Sequence, residues 1–242
     1  MIEQTQHTVK VPHLPEALRG LRIAHLTDIH RSEVTQDRLI HHAVALANAA
    51  QPDLTLLTGD YVTRNPNDIT PCAHMLAGLR ARLGVFAVLG NHDYTTDGKA
   101  MEHALTVQGI TVLPNRSVCL PEGLRLVGLD DDRYHRTDVA RAFADVEPNE
   151  PTLVLAHNPA LVERVADREC VVFSGHTHGG QIRLPILTAR EVRRIGAKHY
   201  RAGWFTVGKA KLYVNRGIGQ VGVPIRFLCR SELAIFTLIP AE

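Results

Sequence analysis

Seven residues of metal-binding type recur along the first three quarters of this chain, and most of them directly follow short apolar segments. They are Asp28, His30, Asp60, Asn91, His157, His176 and His178. Carboxylate, amide and imidazole side chains are the usual protein ligands for divalent transition metals such as manganese, iron and zinc. A set of this size predicts a metal centre.

The spacing within the set suggests how these side chains converge. In an extended backbone, residues two apart project to the same side, so we expect Asp28 and His30 to face one cation. Glycine precedes Asp60 and Asn91, and it allows the backbone to turn sharply close to a ligand. Each short motif alone is also common in ordinary turns. Their conjunction in one ordered series indicates a shared site.

The elements that carry these residues follow from the apolar pattern. Buried strands are predicted at 21–26, 54–57, 85–89, 124–129, 153–156 and 171–173. Helical spacing is found at 38–50, 71–83 and 99–107. Strands that alternate with helices predict a largely parallel sheet with covered faces. Ligand sites of such α/β folds lie at the carboxyl ends of the strands, where the seven residues fall.

Composition sets broad limits on the protein. The chain has 242 residues, of which 45% are hydrophobic and 21% charged, as in an ordinary globular protein. We expect one domain covering residues 1–242. The net charge of +2 is too small to predict nucleic-acid binding.

Cysteine usage and the first residues bear on location. The four cysteines are far apart in sequence and include no C-x-x-C pair, so we expect reduced, mostly buried thiols. The sequence begins without the basic and apolar stretches of a signal peptide, and no long apolar segment follows. These features favour a cytoplasmic protein.

Other polar residues fit ordinary structural roles better than metal binding. His25 alternates with apolar residues and is expected to be a hydrogen-bonded interior residue. His41, His42 and His103 fall on predicted helices and are expected to be solvated. The acidic run 130–132 follows a predicted strand, where we expect a solvated turn first and a group that orders the site second.

In their order, the motifs Asp-x-His, Gly-Asp, Gly-Asn-His-Asp, an isolated histidine and Gly-His-Thr-His resemble the calcineurin-like metallophosphoesterase superfamily. The match extends over 21–181. Segments 212–219 and 224–227 resemble the closing part of a bacterial branch that includes phosphodiesterases and UDP-2,3-diacylglucosamine pyrophosphatases acting at membranes. The resemblance implies an α/β fold, a four-layer α/β/β/α sandwich of two mixed sheets flanked by helices.

The resemblance also implies how the ligands divide between two divalent ions. One ion would take Asp28, His30 and His178, the other Asn91, His157 and His176, and Asp60 would bridge both. Two ions about 3.5–4 Å apart can convert a shared water to hydroxide near neutral pH and clamp phosphoryl oxygens. Manganese is the metal we expect, with iron or zinc as alternatives.

Three further residues receive roles from the same resemblance. His92 would protonate the leaving oxygen, Arg64 would contact the substrate phosphate, and Arg31 is a second candidate for binding a substrate anion. The alternative for Arg64 is an exposed loop arginine that does not contact the substrate.

The implied activity is hydrolysis of phosphodiester or pyrophosphate bonds by a hydroxide that bridges the metals. Protein serine/threonine phosphatases carry an aspartate where this sequence has Thr63, which makes a phosphomonoesterase or phosphoprotein phosphatase the alternative. An inactive binding scaffold of the same fold is less favoured, because such a scaffold should have lost ligands. All seven ligands and His92 are present.

The segment 181–231 is basic and carries scattered apolar residues. Its only acid is Glu191, against eleven cations: Arg183, Arg190, Arg193, Arg194, Lys198, Arg201, Lys209, Lys211, Arg216, Arg226 and Arg230. Among them lie Ile186, Leu187, Tyr200, Trp204 and Phe205. This mixture fits peripheral contact with an anionic membrane, at its inner face, and a lipid-linked phosphoester substrate. A solvated loop and hairpin is the alternative.

Overall fold

The computed structural model describes residues 1–183, 196–197 and 199–241. The strands are β1 Ile2–Val11, β2 Arg22–Leu26, β3 Leu54–Thr58, β4 Val85–Val88, β5 Thr111–Val112, β6 Arg116–Cys119, β7 Arg125–Leu129, β8 Thr152–Ala156, β9 Cys170–Ser174, β10 Gly203–Val207, β11 Ala210–Val214 and β12 Ser231–Pro240. The α-helices are α1 Asp37–Ala49, α2 Ile69–Leu76, α3 Asn91–Val107 and α4 Val139–Ala142.

The strands form two mixed six-stranded sheets. The first has the order β1-β12-β2-β3-β4-β5, with β2 to β5 parallel and β12 antiparallel to β2. The second has the order β10-β11-β9-β8-β7-β6, with β7, β8, β9 and β11 parallel. In each sheet, several carboxyl ends of parallel strands therefore lie along one edge.

Three apolar clusters define four layers. The middle cluster joins the facing sides of the sheets, with Leu56 and Phe86 from the first and Leu155 and Phe173 from the second. A second cluster packs α1, α2 and α3 on the outer face of the first sheet, and a third covers the outer face of the second sheet with α4 and 159–165. The expected α/β/β/α sandwich is confirmed.

Two predicted helices have different bounds in the structure. The helix predicted at 71–83 is α2, which begins earlier because a proline such as Pro71 is tolerated in a first turn. The helix predicted at 99–107 is only the last part of α3, which begins at Asn91 and has a non-helical residue at Asp97. The sequence predicted the part of α3 that follows Asp97 and missed the first turns, which begin at the candidate ligand Asn91.

The cysteines and several histidines are found as predicted. Cys72, Cys170 and Cys229 are buried, Cys119 is exposed, and all four are free thiols. His41, His42 and His103 are exposed. Among the described residues, no helix has the length and apolar character needed to span a bilayer.

His25 is a hydrogen-bonded interior residue, as predicted. Its Nε2 lies 2.9 Å from Thr58 Oγ1, and its ring packs edge-on against Phe173. Burial lowers the pKa of His25 to about 3, against an ordinary value of 6.5. The folded protein therefore holds this imidazole neutral in mildly acidic solution, whereas the unfolded chain protonates it.

This difference predicts a pH-dependent stability. Because the unfolded chain binds the extra proton, the His25 contribution is complete above pH 6.5 and is lost as the pH falls toward 3. Replacing His25 with phenylalanine should remove this dependence. Between pH 6.5 and pH 5, the free energy of unfolding of the wild-type protein should fall by roughly 1.5 kcal/mol more than that of the variant. Urea unfolding of metal-free protein at both pH values measures this, and parallel losses would contradict it.

Candidate metal centre

The seven candidate ligands come from five strand ends that meet at one edge of the sandwich. Those from the first sheet follow β2, β3 and β4, and those from the second follow β8 and β9. The loops after β2 and β3 continue to pair past the strands, since Asp28 N–H donates to Gly59 O at 2.9 Å and His30 N–H to Asp60 O at 3.0 Å. Across the sandwich, His176 N–H donates to the Asp28 carboxylate at 2.9 Å.

The expected extended backbone at Asp28 and His30 was wrong. Their φ angles are 51° and 48°, in the left-handed region, so strand alternation does not bring the side chains together. Asp60, His176 and His178 have positive φ as well, at 55°, 71° and 51°. Non-glycine residues seldom adopt this conformation, and clusters of it are typical of functional sites. The ligands converge through tight, strained turns.

Two glycines are required by close approach to the ligands. A Cβ at position 90 would lie 2.2 Å from Asp60 Oδ1, and one at position 175 would lie 2.2 Å from Asp28 Oδ2. Any side chain at either position would displace a carboxylate. The glycines beside the ligands therefore make room for them, as the sequence indicated.

The first group consists of Asp28, His30 and His178, all buried. The Nε2 atoms of His30 and His178 lie 3.0 Å apart, and His178 Nε2 lies 3.3 Å from Asp28 Oδ1. Asp28 Oδ1, His30 Nε2 and His178 Nε2 therefore face a common point. This is the geometry of three ligands around one cation.

The second group consists of Asp60, His157 and His176, also buried. His176 Nδ1 lies 3.1 Å from His157 Nε2, and Asp60 Oδ2 lies 3.2 Å from the same His157 atom. The other ring nitrogen of His157 donates to Thr58 O at 2.7 Å, which leaves the Nε2 lone pair for a metal.

Asp60 connects the two groups, and Asn91 follows at the end of the next strand. Asp60 Oδ2 lies 3.4 Å from His30 Nε2 in the first group as well as near His157 in the second, so one carboxylate reaches both. Asn91 is flanked by Gly90 and His92, which both contact the Asp60 carboxylate. Its Oδ1 is buried without a hydrogen-bond partner among the described residues, as expected of an oxygen reserved for a metal.

The electrostatics favour a cation at this place. Burial alone would lower the pKa of His157, but the Asp60 and Asp28 carboxylates outweigh it and raise it to about 10. Burial opposes ionisation of Asp60, yet His157 and His30 hold its pKa well below the usual range. A positive charge is therefore stabilised between these side chains, as a divalent ion would be.

Comparisons with known proteins agree with this geometry. Residues 21–180 match the family model of the calcineurin-like phosphoesterases. The chain belongs to this family.

Its relatives extend over nearly the whole chain. The Bacillus subtilis metallophosphoesterase YkuE is 32% identical over 98% of this chain and 86% of its own length. The Escherichia coli phosphodiesterase YaeI is 34% identical over 90% and 82%, respectively. The Chlamydia muridarum UDP-2,3-diacylglucosamine pyrophosphatase LpxG is 28% identical over 97% and 88%. The protein is a metallophosphoesterase and a hydrolase.

His92 of this phosphoesterase lies beside the first group without facing it as a ligand. Its ring is edge-on to His30, with centroids 4.9 Å apart. Its Nδ1 donates to Thr63 O at 2.9 Å, so Nε2 is left for an incoming group. Burial lowers the pKa of His92, although Asp60 opposes this effect. A backbone carbonyl, and not the Thr63 side chain, orients this imidazole.

The two arginines predicted to bind substrate occupy different surroundings. The Arg31 guanidinium forms ion pairs with Asp37, at 3.0 Å from Nε to Oδ1, and with Asp68. It is therefore neutralised by two carboxylates beside the site. Arg64 is exposed and directly follows Thr63, whose oxygens contact both His92 and His30.

The expectation of a solvated turn at 130–132 was wrong for two of its residues. Asp130 and Asp131 are buried, while Asp132 is partly exposed. Asp130 accepts hydrogen bonds from the Tyr94 hydroxyl and, at 3.1 Å, from Arg136 Nε. Burial raises the pKa of Asp131 to about 6, and its carboxyl interacts electrostatically with His157 and Asp60. The second interpretation, a group that orders the site, fits these contacts.

The sequence interpretation missed the role of Asp93. Its carboxylate accepts backbone N–H bonds from Gly90 at 2.9 Å, from Asp60 and Tyr61 at 2.8 Å, and from Val62 at 3.3 Å. Asp93 thus joins the loops after β3 and β4 and caps the first turn of α3. Burial raises the pKa of Asp93 to about 7, with Asp60 acting in the same direction. An acid two residues after the first helical residue is a capping signal that could have revealed this role.

Replacing Asp93 with alanine should destabilise the protein strongly. Several buried N–H groups would lose their acceptor, and one such loss costs about 1–3 kcal/mol. We expect the free energy of unfolding to fall by roughly 3–5 kcal/mol, measured by urea denaturation of metal-free protein. The control is Asp97→Ala, which removes an exposed carboxylate from the same helix and should cost about 1 kcal/mol. Similar losses for both variants would contradict the joining role.

Arg226, which the sequence interpretation counted only among the cations of 181–231, contacts a candidate ligand. Its Nη2 lies 3.3 Å from His178 Nδ1, and its guanidinium donates to Gly219 O and Arg216 O at 2.6 Å and 2.9 Å. This arginine holds the segment 216–226 against a candidate ligand. The predicted basic and apolar residues Ile186, Leu187, Arg190, Arg193, Arg194 and Lys198 lie outside the described residues.

Proposed function

We propose that this phosphoesterase hydrolyses phosphodiester or pyrophosphate bonds with two divalent metal ions. The observation that carries the proposal is the pair of buried ligand groups that share the Asp60 carboxylate. The Asn91 oxygen, which has no hydrogen-bond partner in the described part of the chain, also supports it, since a buried free oxygen suits a metal ion.

Each part of the site has a distinct task under this proposal. The proposed ligands are Asp28, His30 and His178 for one ion, Asn91, His157 and His176 for the other, and Asp60 for both. Bound together, the ions supply a nucleophile from water near neutral pH and neutralise phosphoryl oxygens. Thr58 O and Thr63 Oγ1 orient the rings of His157 and His30, so the ligands are held before substrate arrives.

His92 is the proposed proton donor. Because Thr63 O accepts the Nδ1 proton, a protonated His92 carries its second proton on Nε2. This proton would pass to the leaving oxygen as its bond to phosphorus breaks. Arg64, exposed beside Thr63, is the proposed contact for a substrate phosphate. Arg31 would reach an anion only by leaving its ion pairs with Asp37 and Asp68.

The choice of substrate class rests on two supports. YaeI and LpxG, which resemble the chain over most of its length, are named for phosphodiester and pyrophosphate hydrolysis. The side chain at position 63 is a threonine, in contrast to the aspartate of protein phosphatases. Phosphomonoester hydrolysis is the second candidate, because the same ligand set can serve it.

The discriminating experiment compares substrates for protein supplied with manganese, iron or zinc. We expect hydrolysis of bis(p-nitrophenyl) phosphate and of UDP-2,3-diacylglucosamine to exceed that of p-nitrophenyl phosphate, with manganese giving the highest rate. Elemental analysis should find about two ions per chain. Failure to bind any of the three metals would overturn the proposal, and a preference for the monoester would favour the second candidate.

We further propose a lipid-linked phosphoester as the substrate and peripheral contact with an anionic membrane through 181–231. The segment closely follows His178 in sequence, and one of its cations, Arg226, lies 3.3 Å from His178 Nδ1. Four free thiols, one of them exposed, fit a reducing compartment, which supports a cytoplasmic location at the inner face. Cell fractionation at low and high salt tests this location.

A further inference from the structure

Four large apolar side chains are exposed together within a short loop. Val223, Ile225, Phe227 and Leu228 are 45%, 56%, 50% and 71% exposed. We call 223–228 the apolar loop. Among the described residues it holds half of the eight large hydrophobic residues that are exposed. Clustered apolar exposure of this kind marks an interaction surface more often than scattered single residues do.

The conformation of Leu228 strengthens this reading of the loop. Its φ is 53°, in the left-handed region, although leucine has no side-chain oxygen to stabilise that backbone. Its side chain is also the most exposed of the four. Among the described residues, no burial of this side chain offsets the strain, so packing of Leu228 itself does not account for its conformation.

The base of the loop is fixed to the residues that follow the metal ligands. The Gln181 side chain donates to Val221 O at 3.0 Å and to Val223 O at 3.1 Å. Phe227 and Gln181 pair through their backbones at 2.9 Å. Arg226 reaches from the middle of the loop to His178 Nδ1 at 3.3 Å. Hydrogen bonds therefore hold the base of the loop to Gln181 and, through Arg226, to the candidate ligand His178.

The charge around the loop identifies its partner. Arg230 is exposed and has no carboxylate partner among the described residues, and with Leu228 it lines a cavity of about 720 Å³. The segment 181–231 carries eleven cations against one acid. Apolar side chains at the tip and cations beside them match a surface with an apolar interior and anionic head groups.

We propose that the apolar loop inserts into an anionic lipid surface and presents the metal centre to head-group phosphoesters. This inference rests on the proposed function, because it names the source of the substrate. Interfacial apolar side chains enter about 5–10 Å below the head groups. Since Arg226 spans from the loop to His178, insertion of the loop would bring the centre toward the head-group phosphates.

Vesicle co-sedimentation tests the proposal with the whole protein. The wild type should bind phosphatidylglycerol vesicles at low salt, bind phosphatidylcholine vesicles less, and dissociate in high salt. Ile225→Glu combined with Leu228→Glu should weaken binding at least about 30-fold, since two apolar contacts are lost and two like charges are added. Arg230→Gln alone should weaken it about fivefold.

Val107→Glu is the matched control. Val107 is 66% exposed and is the last residue of α3, sixteen residues after Asn91. This variant should bind vesicles like the wild type, and thermal unfolding should show that all variants are folded. Equal binding by the double variant would overturn the proposal. The proposal would also be overturned if the wild-type protein did not bind the vesicles, or if it self-associated through the apolar loop instead.

A separate assay distinguishes failure of the inference from failure of the proposed function. Hydrolysis of bis(p-nitrophenyl) phosphate by the wild type needs no membrane. Hydrolysis without vesicle binding would overturn lipid docking and leave the hydrolase assignment intact. Vesicle binding without hydrolysis of any phosphoester would overturn the proposed activity and remove the reason for a head-group substrate.

Discussion

Asp60→Ala should lose both metal ions and reduce phosphodiester hydrolysis by more than about 10³-fold. Replacing a residue that only supports a metal ligand lowers metal affinity or activity about 10- to 100-fold. A larger loss is expected here because Asp60 reaches both ligand groups through a single oxygen. Its removal should also leave His30 and His157 facing each other without an intervening negative charge.

Two further variants make this result specific. Asp28→Ala and His157→Ala each affect one group. Each variant should therefore retain about one ion per chain and lose less activity than Asp60→Ala. Elemental analysis after purification and reconstitution with manganese measures the stoichiometry. If Asp60→Ala keeps two ions, or loses no more activity than Asp28→Ala and His157→Ala, then Asp60 does not bridge the two metal ions.

The second large effect is expected for His92→Ala. The variant should keep both ions and lose roughly 10²- to 10⁴-fold in rate on substrates with poor leaving groups, the usual range for general acid catalysis. Activated nitrophenyl esters, whose leaving groups need little protonation, should be affected much less. Steady-state kinetics with a nitrophenyl and an alkyl diester measure the difference.

His103→Ala is the matched control for this experiment, because His103 is an exposed histidine on the same helix α3. It should leave both rates unchanged. Equal losses on the two leaving groups by His92→Ala, or release of metal, would show that His92 supports the ligands instead of donating a proton.

The parts of the fold that the sequence predicted are those with strong apolar periodicity. Most residues of the strands β2, β3, β4, β7, β8 and β9 are buried and apolar, and these strands are bounded by polar turns. The helix α1 has one buried apolar face, so pattern alone locates all of these elements. β1 was missed because it is a sheet edge, where polar residues such as Gln4 and Gln6 alternate with half-buried ones. Its pairing with β12 depends on residues more than two hundred positions away.

The candidate site was predicted in its residues and not in its geometry. Metal-binding residue types at strand ends identified which side chains gather. The left-handed turns at Asp28, His30 and Asp60 could not be inferred, because tertiary contacts impose them against the local preference of these residues. The sequence offers a capping signal for Asp93, but its bonds to the loop after β3 join residues about thirty positions apart and leave no pattern in the sequence. The contact between Arg226 and His178 joins residues 48 positions apart and leaves none either.

The placement of β12 has a consequence for how the protein matures. This strand follows every candidate ligand in the chain, yet it lies between β1 and β2, next to the loop that carries Asp28 and His30. A growing chain on the ribosome therefore exposes His157, His176 and His178 before the first sheet can close. The strand β2, which precedes Asp28 and His30, gains its β12 neighbour only after synthesis has passed β12. We therefore expect the finished protein, and not the growing chain, to take up metal from the ions present in its compartment.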